Sequence, residues 1–277
     1  MAMRRAPLAA AFAAGQERSL AGSTSNQFRL AIKDLHFSYA NGTKAVDGVS
    51  LEFRKGVTAI VGPSGCGKST LLRLIAGLST PTEGTIERRF ASGQHDLAMV
   101  FQEETLLPFR TVRNNVAIYH KLHKTSKAEA IRHVEDLLSL VGLKEFADVY
   151  PSQLSGGMRR RVAFLSAIAS TPQILLLDEP FSSVDEPTRI GIHQDVLRIV
   201  REYDIATVLV THDIAEAISL SDRIVLLTHR PSQIAQIFEA PFDGHREMLK
   251  LRESHEFLEL YGQVWAALAS QISAGAG

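Results

Sequence analysis

Nine consecutive residues constrain this chain more than anything else in it: Gly62-Pro63-Ser64-Gly65-Cys66-Gly67-Lys68-Ser69-Thr70. A glycine, four residues and then Gly-Lys-Ser is the spacing of a loop whose backbone N–H groups curl inward around phosphate oxygens. Such a loop belongs between a buried strand and a helix, and the flanks supply both. Val57–Val61 is an apolar, β-branched run, the pattern of a buried strand. Lys68–Ala76 follows as a helix with Leu71, Leu72 and Ile75 at helical spacing. Its N-terminus adds partial positive charge to the loop. Lys68 has the reach for β- and γ-phosphates, and the Ser69 hydroxyl suits a Mg²⁺ ligand. A Gly-rich turn that binds nothing would not need strand, Lys-Ser and helix to agree. The expected ligand is a nucleoside triphosphate.

The 277 residues, 45% hydrophobic and 22% charged, suffice for one large α/β domain or for one domain with a subdomain and a tail. Thirty basic and thirty acidic residues cancel, which argues against a broad electrostatic footprint, so no nucleic acid is expected as partner. The single cysteine, Cys66, excludes an internal disulfide and suits a reducing compartment. Beside Lys68 and near a helix N-terminus, its surroundings favour the thiolate; a small apolar filler is the bland alternative. His120 and His123 are the closest pair of ten histidines. No Cys or carboxylate cluster joins them, so they read as surface residues rather than a metal site. No apolar run approaches the ~20 residues that span a bilayer. Met1–Arg5 followed by Ala6–Ala14 imitates a signal peptide, but its apolar part is mostly alanine. A flexible leader over 1–27 is the expectation.

Further along, Phe28–Leu35 alternates as a half-buried strand, with Phe28, Leu30 and Ile32 on one face, and Val49–Phe53 does the same. Asn41-Gly42 marks a turn between them, and Thr80–Gly84 a loop. Leu97–Phe101 is a short apolar strand. Ser126–Val141 reads as a helix opened by a capping box, Ser126 with Glu129, and Gly156–Ser170 as a second helix. No strong strand is predicted between Phe101 and Ile174, so a mainly helical insertion interrupts the α/β pattern. That pattern returns with the strands Ile174–Leu177, Thr207–Val210 and Ile224–Leu227 and the helices Pro187–Tyr203 and Ile214–Leu220, which implies a parallel sheet. The tail carries Phe257, Leu260/Tyr261, Val264 and Leu268 at helical spacing. No internal repeat is present.

Two further motifs carry chemistry. Ile174–Leu177 runs into Asp178-Glu179, putting two carboxylates where parallel sheets bind ligands, at a strand's C-terminal end. Asp178 can hold Mg²⁺, and Glu179 would stand beside the γ-phosphate, able to polarise an attacking water. Ser155-Gly156-Gly157 opens a helix, a second anion-binding start, although the same residues also make a good cap.

Ser155-Gly156-Gly157, together with the Gly62–Thr70 loop, Asp178-Glu179-Pro180, Gln102 and His212, resembles the ATP-binding subunit of ABC transporters, over roughly residues 28–240. The resemblance implies a P-loop NTPase cassette of the α/β class: a parallel core sheet, a β-rich N-terminal edge, and an inserted helical subdomain over about 102–170, with 241–277 as a C-terminal helical tail. It implies ATP and Mg²⁺ as cofactors, the metal held by Ser69, Gln102 and Asp178. It makes Ser155-Gly156-Gly157 the signature that binds the γ-phosphate of ATP held by a second subunit, in a head-to-tail dimer. By the same resemblance Tyr39 stacks on adenine, and Gln102 senses Mg²⁺ and γ-phosphate at a hinge. Ser182-Ser183-Val184-Asp185 crosses the dimer interface, and His212 is the switch histidine. Glu179, His212, Lys68 and Gln102 then form the catalytic set.

The segment Val100–Val112, and Thr211–Arg223 with Val225–Pro231, are similar to importers of nitrate, sulfonates and taurine. That implies integral membrane permease subunits as partners, an extracytoplasmic solute-binding protein acting indirectly, and peripheral placement on the cytoplasmic face of the cell membrane. In that scheme Leu106-Leu107-Pro108-Phe109 is the patch that receives the permease, with Phe109 as anchor and Arg110 at the rim. Lipid-transport ATPases and soluble ABC ATPases share the same catalytic residues and stay open as alternatives. The chain also departs from the family: Arg160 stands where Gln is usual, and Leu165-Ser166-Ala167 where Ala-Arg-Ala is usual. Arg159-Arg160-Arg161 reads as a solvated helix face.

Overall fold

The computed structural model describes residues 29–89, 97–103, 105–182, 184–242 and 246–274. The leader expected over 1–27, and Phe28, lie outside them. Strands β1 (Arg29–Ser38) and β2 (Lys44–Phe53) pair antiparallel through the turn at Asn41-Gly42, where Gly42 N–H donates to the Tyr39 carbonyl at 2.9 Å. β2 starts five residues earlier than the alternation predicts. Gly48 at φ +68° and a register shift break the pattern in mid-strand, so Ala45 and Val46 are buried ahead of an apparent turn.

Strand β3 (Val57–Val61) and helix α1 (Lys68–Ala76) form as the sequence predicts. Strand β4 (Glu83–Arg89) begins inside the segment read as a loop and pairs with β1. It is an edge strand of the β2-β1-β4 sheet, and none of its seven residues is fully buried, so it carries little apolar signal. Gly84 there has φ +85°, and a Cβ would sit 2.1 Å from the Asp34 carbonyl oxygen. Only glycine admits that approach.

After β5 (Leu97–Val100) come four helices: α2 (Val112–Val116), α3 (Ile118–Leu122), α4 (Lys127–Leu140) and α5 (Gly156–Ile168). Short 3₁₀ turns at Lys144–Phe146 and Pro151–Gln153 separate the last two. Among the described residues no strand interrupts this run. The Ser126 hydroxyl caps α4 by accepting from Glu129 N–H at 3.3 Å, a contact worth about 1 kcal/mol. α2 and α3 have five residues each, too short for a periodic signal. His120 on α3 is buried, its Nε2 2.9 Å from Nδ1 of His133 on α4. The reading of His120 as a surface residue is therefore wrong, while His123 is exposed.

The remaining elements are β6 (Ile174–Asp178), α6 (Glu186–Glu202), β7 (Ala206–Val210), α7 (Ile214–Leu220), β8 (Arg223–Leu227), β9 (Ile234–Glu239), α8 (Met248–Glu253) and α9 (His255–Ala274). The main sheet has the order β5-β6-β7-β3-β8-β9, parallel except for the edge strand β9. One face of it packs with the antiparallel sheet around α1, burying Leu71, Leu72 and Ile75 with Leu30 and Ile32. Truncating one such leucine to alanine costs about 2–5 kcal/mol. A second core joins α2, α4, α5 and α6 to Leu175 and Leu177, and a third packs Phe257, Leu260, Val264 and Leu268 of α9 on α7, β3 and β8. The tail stripe is thus packing surface.

Candidate active site

β3, β6 and β7 are neighbouring parallel strands, with β5 beside β6. Their C-terminal ends therefore release Gly62, Asp178, Thr211 and Phe101 on one side of the sheet. The loop after β3 needs its glycines where the backbone demands them. Gly67, the cap of α1, has φ +119°, and a Cβ there would meet the Ala45 carbonyl oxygen at 2.9 Å. Lys68 is buried and its ammonium donates to the carbonyls of Gly62 and Pro63, each at 2.9 Å. Two of its three N–H groups brace the loop, and the third is left for a phosphate.

Ser69 Oγ donates to Asp178 Oδ1 at 2.8 Å. A hydroxyl and a carboxylate from separate elements thus converge as oxygen donors, the chemistry Mg²⁺ prefers. Burial pushes the Asp178 carboxyl above the usual carboxylate range, and the bond from Ser69 opposes that. Glu179 holds φ +44°, a left-handed value unusual for a side chain of its size, with its N–H tied to the Val210 carbonyl at 2.9 Å. Strain of this kind collects at active sites. His212 Nδ1 lies 3.0 Å from Glu179 Oε2, and Gln102 Nε2 reaches the same oxygen at 3.4 Å. An ionised carboxylate only accepts, so His212 carries its proton on Nδ1. Two residues from two other loops converge on one carboxylate.

Gly65, Lys68, Ser69, Thr70, Gln102, Glu179 and His212 line one cavity of about 600 Å³, together with Ser64, Gly67 and Arg230. Tyr39 is exposed beside it, its hydroxyl 2.6 Å from Thr70 Oγ1. Gly62 and Pro63 stand behind the loop as acceptors for Lys68. Cys66 is fully buried, and burial pushes its thiol pKa up. The surroundings favouring a thiolate are outweighed by desolvation, and the residue is the apolar filler.

The structure does not bring Ser155-Gly156-Gly157 into this cavity. Ser155 caps α5, accepting from Met158 N–H at 3.3 Å, and Ser155 and Gly156 are exposed. Gly157 packs so closely on α6 that a Cβ would lie 2.3 Å from Thr188 Cγ2. Asp185 caps α6, and Ser182 Oγ donates to the Glu179 carbonyl at 3.2 Å; Ser183 lies outside the described residues.

Sequence reasoning missed two arginines. Arg230, in the loop after β8, holds the Gly65 carbonyl through Nε at 3.0 Å and Nη2 at 2.6 Å. Arg160 is buried on α5, and not on a solvated face. It also missed Glu216, buried on α7, which accepts from Thr211 Oγ1 and lies 3.0 Å from His193 Nε2, fixing the loop that carries His212. No spacing in the chain announces the arginine contacts, because they span 165 and 58 positions, and the Thr211–Glu216 bond, though local, carries no motif of its own.

Comparison with known proteins places the chain in a family. Residues 46–182 match the family model described as ABC transporter. An ABC transporter ATP-binding protein of Methanocaldococcus jannaschii is 40% identical over 236 residues, covering 84% of this chain and 87% of that protein. The chain belongs to the ATP-binding proteins of ABC transporters. This cassette is also 41% identical over 253 residues to a nitrate import ATP-binding protein of Synechococcus elongatus, covering 87% of this chain and 38% of that protein. A bicarbonate transport ATP-binding protein of Synechocystis sp. is 41% identical over 240 residues, covering 83% and 36%. The cassette thus spans under two-fifths of the length of those two relatives. Among solved structures, a dimeric bacterial ABC transporter cassette has a TM-score of 0.66 at 28% identity, covering 77% of this chain and all of that one. Among the described residues, no helix is long and apolar enough to cross a membrane.

Proposed function

We propose that this cassette hydrolyses MgATP to power an importer of small anions. The observation that carries the ATPase reading is the convergence of Gln102 and His212 on Glu179 beside Lys68 and the Ser69–Asp178 pair. The loop amides from Ser64 to Thr70 and the Lys68 ammonium bind the β- and γ-phosphates, with Tyr39 placed to stack on adenine. Mg²⁺, held by Ser69 and Asp178 with Gln102 near, would neutralise charge on the phosphates. Glu179 accepts a proton from a water whose oxygen attacks the γ-phosphorus. The bond to the bridging oxygen breaks, and its electron pair leaves with ADP. His212 Nδ1–H keeps the carboxylate aimed at the water. Most of the rate comes from positioning and charge neutralisation.

The exposed Ser155-Gly156 helix start does not line this chain's own nucleotide cavity, which supports its use on the ATP of a second subunit in a head-to-tail dimer. The similar dimeric cassette points the same way. Nitrate, bicarbonate and sulfate/thiosulfate in the names of the relatives support a small anion as solute. Membrane permeases are then the partners, at the cytoplasmic face, and the binding protein that delivers solute acts through them. The apolar docking patch is narrower than the sequence implies. Leu106 and Leu107 are half-buried, while Phe109 is 71% exposed and remains the anchor.

The test is phosphate release by the purified chain with MgATP. Glu179→Gln should keep nucleotide affinity and lose turnover by ~10²–10⁴-fold, the usual contribution of a general base. Lys68→Ala should weaken binding itself. Turnover near the parent rate in Glu179→Gln contradicts the assignment.

A further inference from the structure

Arg160 is 6% exposed on α5, five residues beyond the Ser155 cap. Its Nη2 donates to the backbone carbonyl of Gln102 at 2.6 Å. A guanidinium inside a protein is costly unless its N–H groups are taken up, and a charge-assisted bond of this length fixes its acceptor firmly. The acceptor needs fixing. Residues 101–103 follow β5 in neither helix nor strand, so no ladder of backbone bonds sets where Gln102 sits. Helix α5 is a firm support, since Val162, Leu165 and Ile168 on it are fully buried. From the Gln102 backbone the line continues through the side-chain amide to Glu179 Oε2 at 3.4 Å, and from there to His212 at 3.0 Å.

We propose that Arg160 is a positioning residue that sets Gln102 against Glu179 and ties the helix begun by Ser155-Gly156-Gly157 to the hydrolytic centre of the same chain. Arg160 lines no part of the nucleotide cavity, so it reaches the reacting groups through Gln102 and not by touching the nucleotide. A movement of α5 moves the Gln102 carbonyl, and with it the amide that faces the general base. The helix start that serves a partner's nucleotide and the glutamine that attends this chain's own nucleotide are thereby one mechanical unit. The inference rests on the ATPase reading above.

The experiment uses the whole chain, with Arg160→Met, which removes every donor, and Arg160→Lys, which restores one. Turnover of MgATP and equilibrium binding of a fluorescent ATP analogue are measured side by side. In Arg160→Met, kcat should fall at least tenfold while KM and analogue affinity stay within about twofold of the parent. Arg160→Lys should recover kcat to within about threefold. Backbone hydrogen exchange over 101–103 should quicken in Arg160→Met and return toward the parent in Arg160→Lys. Parent-like kcat and exchange in a folded Arg160→Met overturn the proposal, as does an equal loss of binding and turnover. If Arg160→Met does not fold, Arg160→Gln takes its place, with a three- to tenfold fall in kcat expected and a parent-like kcat decisive against. A parent chain without MgATP turnover defeats the ATPase reading instead, and the exchange measurement still decides whether Arg160 holds Gln102.

Discussion

Asp178 holds a charge where the protein interior disfavours it. It is 4% exposed at the end of β6, and burial raises its pKa above the ordinary 3.8. A raised carboxylate pKa means that the folded chain binds this proton more tightly than the unfolded chain does. The stability it contributes is then complete at low pH and is lost as pH rises through the folded value. At pH 7 without metal or nucleotide, the ionised side chain is therefore a liability. Asp178→Asn should raise the melting temperature in EDTA at pH 7 by about 1–4 °C, the shift that ~1 kcal/mol gives in a domain of this size. The gain should shrink toward pH 4, and MgATP should stabilise the parent but not the variant. Lys68, Ser69, Asp178 and Glu179 were legible in the sequence because local spacing and strand ends specify them. Arg160 and Arg230 were not, since nothing near either residue encodes a carbonyl 58 or 165 positions away.

Among the elements, those buried on both sides announce themselves, and the edges do not. β3, β6, β7 and β8 are buried along their whole length and read as apolar runs. β4 and β9, at the edges of their sheets, have at most one buried residue each, and the sequence reading passed over both. The helical insertion was legible as a region, but α2 and α3 were too short to show a period. The bond between His120 on α3 and His133 on α4 follows from packing alone. Burial pulls the pKa of His133 down from 6.5 to about 4, and that of His120 down as well. With a depressed folded pKa, the unfolded chain takes up the proton first. Stability from this pair is present above pH 6.5 and is lost as pH falls toward 4. Urea unfolding at pH 7, 6 and 5 should show that loss in the parent, approaching ~1.4 kcal/mol per pH unit for one proton. His133→Gln keeps a hydrogen-bonding amide without titrating, and should flatten the trend. An unchanged slope would place the acid sensitivity elsewhere.

At the scale of the whole molecule, one sheet gathers Lys68, Gln102, Glu179 and His212 into a cavity, while the helix start at Ser155-Gly156-Gly157 lies outside that cavity's lining. In the proposed head-to-tail arrangement, each chain would complete the phosphate ligands of the other. The Arg160–Gln102 bond would make the outward helix and the inward glutamine respond together. The most direct test of this account is the mass of Glu179→Gln in solution, measured by light scattering during gel filtration with and without ATP. The account predicts a monomer without nucleotide and a stable dimer with ATP, abolished by Ser155→Arg in the same background. A variant that binds ATP yet stays monomeric at every concentration tested would contradict it.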